Sequence, residues 1–362
     1  MKLILLTVLA LAASSAHAAV PSLALTPAQE ESLVNANLSA AASDPLLGSF
    51  ERVSPVIPKA DRLPWAEYQK AGYLLVSGDS ELLAGAAKHA MAKNLPPDMT
   101  MVIFTGTNSA SYQKALFQEY AQDIDPSRLK VIYLANGVDS FWARDEIGVP
   151  TWTLDANGNK KFGIVDARYY HDFENDAAIA QFFEADLIPL GSYFHEGGNF
   201  LANEDGECIV VNNKRAQVIP DVVFQMKYGC QKMLRLPFIK GIGHVDESVK
   251  FIDRKTVITD DPTYQVLLQE AGYTVVMMPR AKNKFETYIN SVIINGTAFV
   301  PIFNEPTDAE AEQVYQSFGL KVIPLDSTQL SNQGEGSLHC ITMVYPPGPF
   351  DDTLGDITAK DF

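Results

Sequence analysis

Glu270-Ala271-Gly272-Tyr273-Thr274-Val275-Val276 holds the grammar that decides the fold. A helical run from Tyr264 ends on Gly272, and a run of aromatic and β-branched residues follows at once. Glycine suits the position just past a helix because it takes positive φ without a Cβ penalty. The order returns at Ser317-Phe318-Gly319-Leu320-Lys321-Val322-Ile323, after a helical run from Asp308, and at Lys70-Ala71-Gly72-Tyr73-Leu74-Leu75-Val76. Further strand–helix–strand alternation stands at 101–104, 112–120 and 131–134. The chain reads as α/β.

Hairpin signals interrupt the alternation. Asn157-Gly158 lies between apolar runs at 151–154 and 162–165, and Asn295-Gly296 between 291–294 and 297–302. Asn-Gly supplies the two positive-φ residues of a type I′ turn. Antiparallel hairpins beside crossover strands argue against a purely parallel doubly wound sheet and for a repeated ββαβ unit. No Pro/Gly/Ser linker follows residue 65, so 65–362 reads as a single domain. Residues 19–64 are rich in Ala, Ser and Pro and read as an irregular N-terminal arm.

The chain has 362 residues, with 28 Lys+Arg against 44 Asp+Glu, a net charge of −16. Such a surface repels phosphate, which sets nucleic acid aside as a partner. Hydrophobic residues at 47% exclude wholesale disorder. Lys2, the apolar run 3–13 and Ala16-His17-Ala18 have the form of a cleavable signal peptide over 1–18. The expectation is export, secreted or periplasmic, with Ala19 as the mature N-terminus. No later apolar run approaches the ~20 residues of a spanning helix, so no membrane span is expected.

Three cysteines are an odd number for an exported chain, and one pair plus one free thiol is the simplest arithmetic. Cys208 begins a strand and Cys230 ends a helical run from Pro220. Such elements pack face to face, within reach of the ~5.5 Å Cα separation of a disulfide. Two buried free thiols are the alternative.

Four segments concentrate reactive groups: Trp142-Ala143-Arg144-Asp145-Glu146, His195-Glu196-Gly197-Gly198-Asn199, Gly243-His244-Val245-Asp246-Glu247 and Gly336-Ser337-Leu338-His339-Cys340. Each lies at a strand end or in a Gly-bearing loop, where backbone approaches a ligand closely. His244-x-Asp246 lacks a partner at metal-ligand spacing, so no metal is expected.

Together, W-x-R-D, E-G-G-N, G-H-V-D and G-x-x-H-C, in this order over roughly residues 64–345, resemble the guanidine-modifying (pentein) superfamily, in its agmatine deiminase and protein-arginine deiminase group. Trp65-Ala66-Glu67-Tyr68 resembles that group's opening strand. The resemblance implies a five-bladed α/β propeller with pseudo-fivefold ββαβ repeats. It implies that Asp145 and Asp246 hold a guanidinium, that Cys340 attacks its carbon, that His244 is acid and then base, and that Glu196 orients His244. It also places Trp142 and Asn290 at the substrate, with no metal or organic cofactor, a strand-start cap being the alternative for Asn290. Arg168, after the strand at 162–166, reads as a partner for a carboxylate or backbone carbonyl of the substrate, or else as an exposed ion pair.

Agmatine deiminases usually read W-x-R-D-T-G-P and G-H-V-D-N, whereas here Glu146 follows Asp145 and Glu247 follows Asp246. These departures and the export signal point to arginine in peptides or proteins, converted to citrulline, with agmatine as the alternative. A pentein-fold binding protein without catalysis, or an amidinotransferase, would use the same frame.

Overall fold

A computed structural model describes residues 22–45, 47, 61–78, 81–134, 141–169 and 175–351. The signal segment read at 1–18 lies outside these residues. The first strands are β1 (Arg62–Pro64), β2 (Tyr73–Ser77), β3 (Thr100–Thr105), β4 (Leu129–Tyr133), β5 (Val149–Leu154), β6 (Lys160–Val165), β7 (Asp186–Ile188) and β8 (Leu201–Ala202). There follow β9 (Glu207–Asn212), β10 (Lys232–Pro237), β11 (Val249–Phe251), β12 (Thr256–Thr259), β13 (Thr274–Met277), β14 (Val292–Ile294), β15 (Thr297–Ile302), β16 (Lys321–Asp326) and β17 (Met343–Tyr345). The helices are α1 (Pro27–Ser43), α2 (Glu81–Asn94), α3 (Ala110–Tyr120), α4 (Ala143–Glu146), α5 (Asp176–Phe182), α6 (Asp221–Val223), α7 (Pro262–Glu270), α8 (Asp308–Ser317) and α9 (Thr328–Gly334).

The described strands form five sheets, ordered β17-β2-β3-β4, β1-β5-β6-β7, β10-β9-β8, β11-β12-β13 and β14-β15-β16. Each is mixed in the same way. An antiparallel pair comes first, and a helix then carries the chain to a strand parallel to the second. β11 and β12 pair antiparallel, α7 crosses over, and β13 pairs parallel to β12 with Val257 opposite Val275. β14–β15–α8–β16 repeats this, as do β5–β6–α5–β7 and β8–β9–α6–β10. In the remaining sheet the late strand β17 supplies the antiparallel partner of β2.

Local chemistry accounts for these units. The Asp261 carboxylate accepts from the Thr263 and Tyr264 amides, and Pro262 opens α7 where no N–H is needed. The helix buries Tyr264 and Leu268 on its sheet, about 1.5–3 kcal/mol for a fully buried leucine. It stops at Gly272, with φ +97°.

Four details differ from the sequence reading. Gly72 is not at positive φ; a Cβ there would lie 2.4 Å from the Pro347 backbone, so close approach is what requires glycine. Asn295-Gly296 makes the expected two-residue turn, with φ +44° and +81°. Asn157-Gly158 does not, because the Asp155 side chain accepts from the Asn157 and Asn159 amides, both at 2.8 Å, and organises a longer loop. Trp65–Tyr68 is not a strand: β1 ends at Pro64 and the chain turns away.

The arm is the fourth. Residues 27–43 are helical, because Thr26 and Gln29 form a reciprocal capping box and alanine is the best helix former. Leu33, Asn37 and Ala40 are buried on its inner side. Cys208, on β9, and Cys230, after a π turn closed by Gly229 in the left-handed region, form a disulfide with Cα atoms 5.7 Å apart.

Candidate active site

The reactive segments occupy the connections between successive sheets. Asp145 lies between β4 and β5, Glu196 between β7 and β8, and His244 with Asp246 between β10 and β11. Asn290 lies between β13 and β14, and Cys340 between β16 and β17. Short turns fix them: α4 carries Asp145, a 3₁₀ turn follows Glu196, and His244 caps another that holds Asp246. The five side chains Cys340, His244, Asp145, Asp246 and Glu196 are each at most 1% exposed.

The glycines of Glu196-Gly197-Gly198-Asn199 permit the cluster. A Cβ on Gly197 would lie 2.1 Å from the Arg144 carbonyl oxygen. One on Gly198 would lie 2.7 Å from His244 Nδ1, 3.1 Å from Asp145 Oδ1 and 3.2 Å from Asp246 Oδ2. The Gly198 amide donates to Asp145 Oδ1 at 2.8 Å.

His244 stands between carboxylates, with Nδ1 3.8 Å from Asp145 Oδ1 and Nε2 3.7 Å from Glu196 Oε1. Burial alone would depress its pKa; the charges of Asp145 and Glu196 prevail and raise it to about 9. Burial lifts Asp145 to about 6, with Asp246 and Glu196 adding to the rise. Asp246 is held below its usual value despite burial, because His339 donates from Nδ1 to its Oδ2 at 2.6 Å. Glu196 is likewise lowered against its burial, chiefly by its ion pair with Arg215.

The Cys340 sulfur has Asn290 Nδ2 at 3.3 Å and Asp246 Oδ2 at 3.9 Å. The Asn290 Oδ1 accepts from the His339 amide at 3.0 Å, which locks the amide beside the thiol. Burial and the Asp246 and Asp145 charges push the thiol well up. Asp145 Oδ2, Asp246 Oδ1 and both ring nitrogens of His244 have no hydrogen-bond partner among the described residues. The cluster thus sets two carboxylate oxygens and an imidazole that lack hydrogen-bond partners among the described residues beside the Cys340 thiol. That donor set suits a planar cation with several N–H groups. Among the described residues no group of three His, Cys, Asp or Glu has metal-holding geometry.

Trp142 is buried beside the site, its ring 2.7 Å from where a Gly336 Cβ would sit. The Arg168 guanidinium lies over the Phe194 ring and donates to the Gly191 carbonyl, and its backbone carbonyl accepts from the His195 amide at 3.0 Å.

Sequence reading missed the groups that support these side chains. Arg215 pairs with both Glu196 and Glu30 of α1. His339 bridges Asp246 and Glu67, with 2.7 Å to Glu67 Oε2, and Glu67 also pairs with Arg144. Burial and the neighbouring Arg144 charge hold Lys250 down at about 8, although Glu67 opposes them. His339 was visible beside Cys340, but its partners come from distant turns.

Residues 84–346 match the model of the Porphyromonas-type peptidyl-arginine deiminase family. The agmatine deiminase of Stutzerimonas stutzeri is 23% identical over 301 residues, which cover 63% of this chain and 79% of that one. Among solved structures, the agmatine deiminase of C. jejuni superposes with a TM-score of 0.63 at 17% identity, covering 80% of this chain and 97% of the other. The agmatine deiminase of Enterococcus faecalis gives 0.61 at 16% identity, covering 82% and 99%.

Proposed function

We propose, because the chain belongs to the Porphyromonas-type peptidyl-arginine deiminase family and is a hydrolase of amidine C–N bonds of the arginine/agmatine type, that it deiminates a small guanidine of the agmatine kind. The observation that carries this reading is the pair of unpartnered oxygens, Asp145 Oδ2 and Asp246 Oδ1, enclosed with Cys340 and His244. Arginine in peptides was the expectation from Glu146 and Glu247. Three relatives set against that reading are named agmatine deiminase, and the enclosed site favours a substrate without bulk at its far end.

In this mechanism Asp145 and Asp246 accept the guanidinium N–H groups and fix its central carbon. The incoming positive charge offsets the carboxylate field that keeps the Cys340 thiol protonated, so the thiol ionises as substrate binds and its proton passes to solvent. The Sγ–carbon bond forms and gives a tetrahedral adduct. His244, protonated below about pH 9, gives its proton to one nitrogen, and the C–N bond breaks to release ammonia. Water then adds to the thiouronium carbon while His244 takes a proton. The C–S bond breaks as the hydroxyl proton of this second adduct passes to sulfur, which leaves a neutral ureido product and restores the thiol. Glu196 holds the imidazolium, and Arg215 keeps Glu196 ionised.

We further infer that the five sheets stand as blades around one axis, the propeller expected from sequence. Support comes from all five inter-sheet connections meeting at the reactive cluster, and from β17 joining the sheet of β2. Export is part of the proposal, supported by the signal-like 1–18 segment and by the Cys208–Cys230 disulfide, which persists in oxidising compartments. N-terminal sequencing of protein recovered outside the cytoplasm tests it, with Ala19 expected first.

The test of the activity is to incubate the protein with agmatine, free arginine and a blocked arginine ester and to measure ureido product. The highest kcat/KM is expected for agmatine, and none with Cys340→Ser. A tenfold preference for the blocked arginine would reverse the substrate choice.

A further inference from the structure

The N-terminal residues 22–43 lie outside the 84–346 stretch that matches the family, so the family pattern leaves them unexplained. They lie across the reactive cluster. Leu23 is 1% exposed and shares an apolar cluster with Trp142, Tyr169, Leu338 and Cys340. Its amide donates to the Gly334 carbonyl at 2.8 Å, and its carbonyl accepts from the Tyr169 hydroxyl. Its side chain lies 3.0 Å from the Cβ position of Gly336, on the loop that leads to Cys340. Ser22 adds a hydrogen bond to Glu335.

The helix that follows ties this end to the opposite side of the site. Asn37 on α1 is fully buried; its amide donates to the Phe194 carbonyl at 3.0 Å and accepts from the Phe194 amide at 2.7 Å. Glu30 lies 3.1 Å from Arg215 Nε, and Arg215 holds Glu196. A cavity of about 280 Å³ remains between Leu23, Ala24 and Glu30 on one side and Phe238, Lys284 and Phe285 on the other. One segment therefore touches the Cys340 loop, the Phe194 backbone, the Arg215 that holds Glu196, and the rim of this cavity.

We propose that residues 22–43 form a strap that gates Cys340 and sets the size of substrate admitted, resting on the reading of Cys340 as the reacting group. With Leu23 seated, the reactive groups are closed to a peptide. Lifting residues 22–26 would clear Trp142 and Gly336, while α1 stays anchored through Asn37. Glu30, on the anchored α1, keeps its ion pair with Arg215 as residues 22–26 lift, so Arg215 still holds Glu196 and the site stays assembled.

The test measures the rate at which iodoacetamide labels Cys340 in the full-length protein, without reductant, by intact mass. Leu23→Asp places a charge against Trp142 and unseats the strap; Asn37→Ala removes the anchor of α1 and serves as a second release if the first variant does not fold. The expected result is labelling at least fivefold faster in a variant whose far-ultraviolet circular dichroism and cooperative urea unfolding match wild type, with kcat/KM for a blocked arginine peptide rising relative to agmatine. The added carboxylate of Leu23→Asp would by itself slow a thiolate from forming, so a faster rate reports access. A rise below fivefold in the folded variant overturns the gate. Iodoacetamide needs no guanidine recognition. An altered labelling rate without ammonia release from any guanidine would therefore refute the deiminase reading alone, and ammonia release with unaltered labelling would refute the strap alone.

Discussion

Replacing Gly198 with alanine adds one methyl against three reactive groups at once. The backbone tolerates it, since Gly198 is not among the residues at positive φ. The new Cβ would lie 2.7 Å from His244 Nδ1, where ordinary contact begins near 3.4 Å, so the ring must retreat by about 0.7 Å (3.4 − 2.7). Asp145 Oδ1 at 3.1 Å and Asp246 Oδ2 at 3.2 Å must each give by a few tenths. None is a free chain end, because all three side chains are buried. Overpacking of this kind costs about 1–3 kcal/mol, which lowers Tm by a few degrees and leaves the protein folded. Catalysis suffers more, because a misplacement approaching 1 Å costs about 10²-fold in rate. The expected outcome is a kcat/KM for agmatine about a hundredfold below wild type, read from ammonia release, with unchanged near-ultraviolet circular dichroism. Gly158→Ala is the control: at φ +81° with nothing within 4 Å, it costs backbone strain of about 1–2 kcal/mol and no activity. A Gly198→Ala enzyme within threefold of wild type would refute the geometry of the cluster.

The pH profile of kcat/KM should be bell-shaped. Asp145 must be ionised, which is lost as pH falls through about 6, and His244 must be protonated, which is lost as pH rises through about 9; a flat profile from pH 5 to 10 contradicts both assignments. His339→Gln removes the ring that holds Asp246 against Glu67. It should raise KM for agmatine about tenfold with a smaller change in kcat, since the lost function is orientation of a binding carboxylate; a KM within twofold of wild type contradicts the positioning role. Replacing Cys208 and Cys230 together by serine should cost about 3 kcal/mol, because their 22-residue separation constrains the unfolded chain; an unshifted urea midpoint would show that the bridge adds nothing.

Where a feature was local, the sequence carried it. Gly272 and Gly319 end helices at positive φ, and Asn295-Gly296 turns a hairpin, because each depends on a few adjacent dihedrals. Asn157-Gly158 misled because a neighbouring carboxylate, Asp155, captured the loop's amides. The arm misled because an Ala- and Ser-rich stretch was weighed by composition, although Thr26-Pro27-Ala28-Gln29 already spelled a capping box. Arg215, Glu67 and His339 were illegible as a set for a different reason. Their meaning lies in whom they pair with, and those partners arrive from other sheets through packing that no spacing rule contains. Gly198 shares this property: the motif marks it, but only the fold reveals that His244 fills the space a side chain would need.

The arrangement also decides which charge matters. The surface excess of acid, −16 over the chain, would attract any cation weakly through solvent and selects none. Selection comes from the few carboxylates that turns between sheets carry out of water. Of these, Glu196 is answered by Arg215 and one oxygen of Asp246 by His339. Among the described residues, Asp145 accepts from the Gly198 amide on one oxygen and has no hydrogen-bond partner on the other, and one oxygen of Asp246 likewise has none. A buried carboxylate left partly unpaired is costly, and burial accordingly drives Asp145 toward its neutral form. A ligand that brings one delocalised positive charge and several coplanar N–H groups relieves that cost, restores the ionised carboxylate and lowers the barrier to ionising Cys340 in a single step. A sodium ion or a lysine ammonium would supply the charge without the plane, and a neutral urea the plane without the charge. The unsatisfied part of the site is therefore complementary to guanidinium in both respects, and the neutral ureido product, having lost the charge, is the species it holds least well.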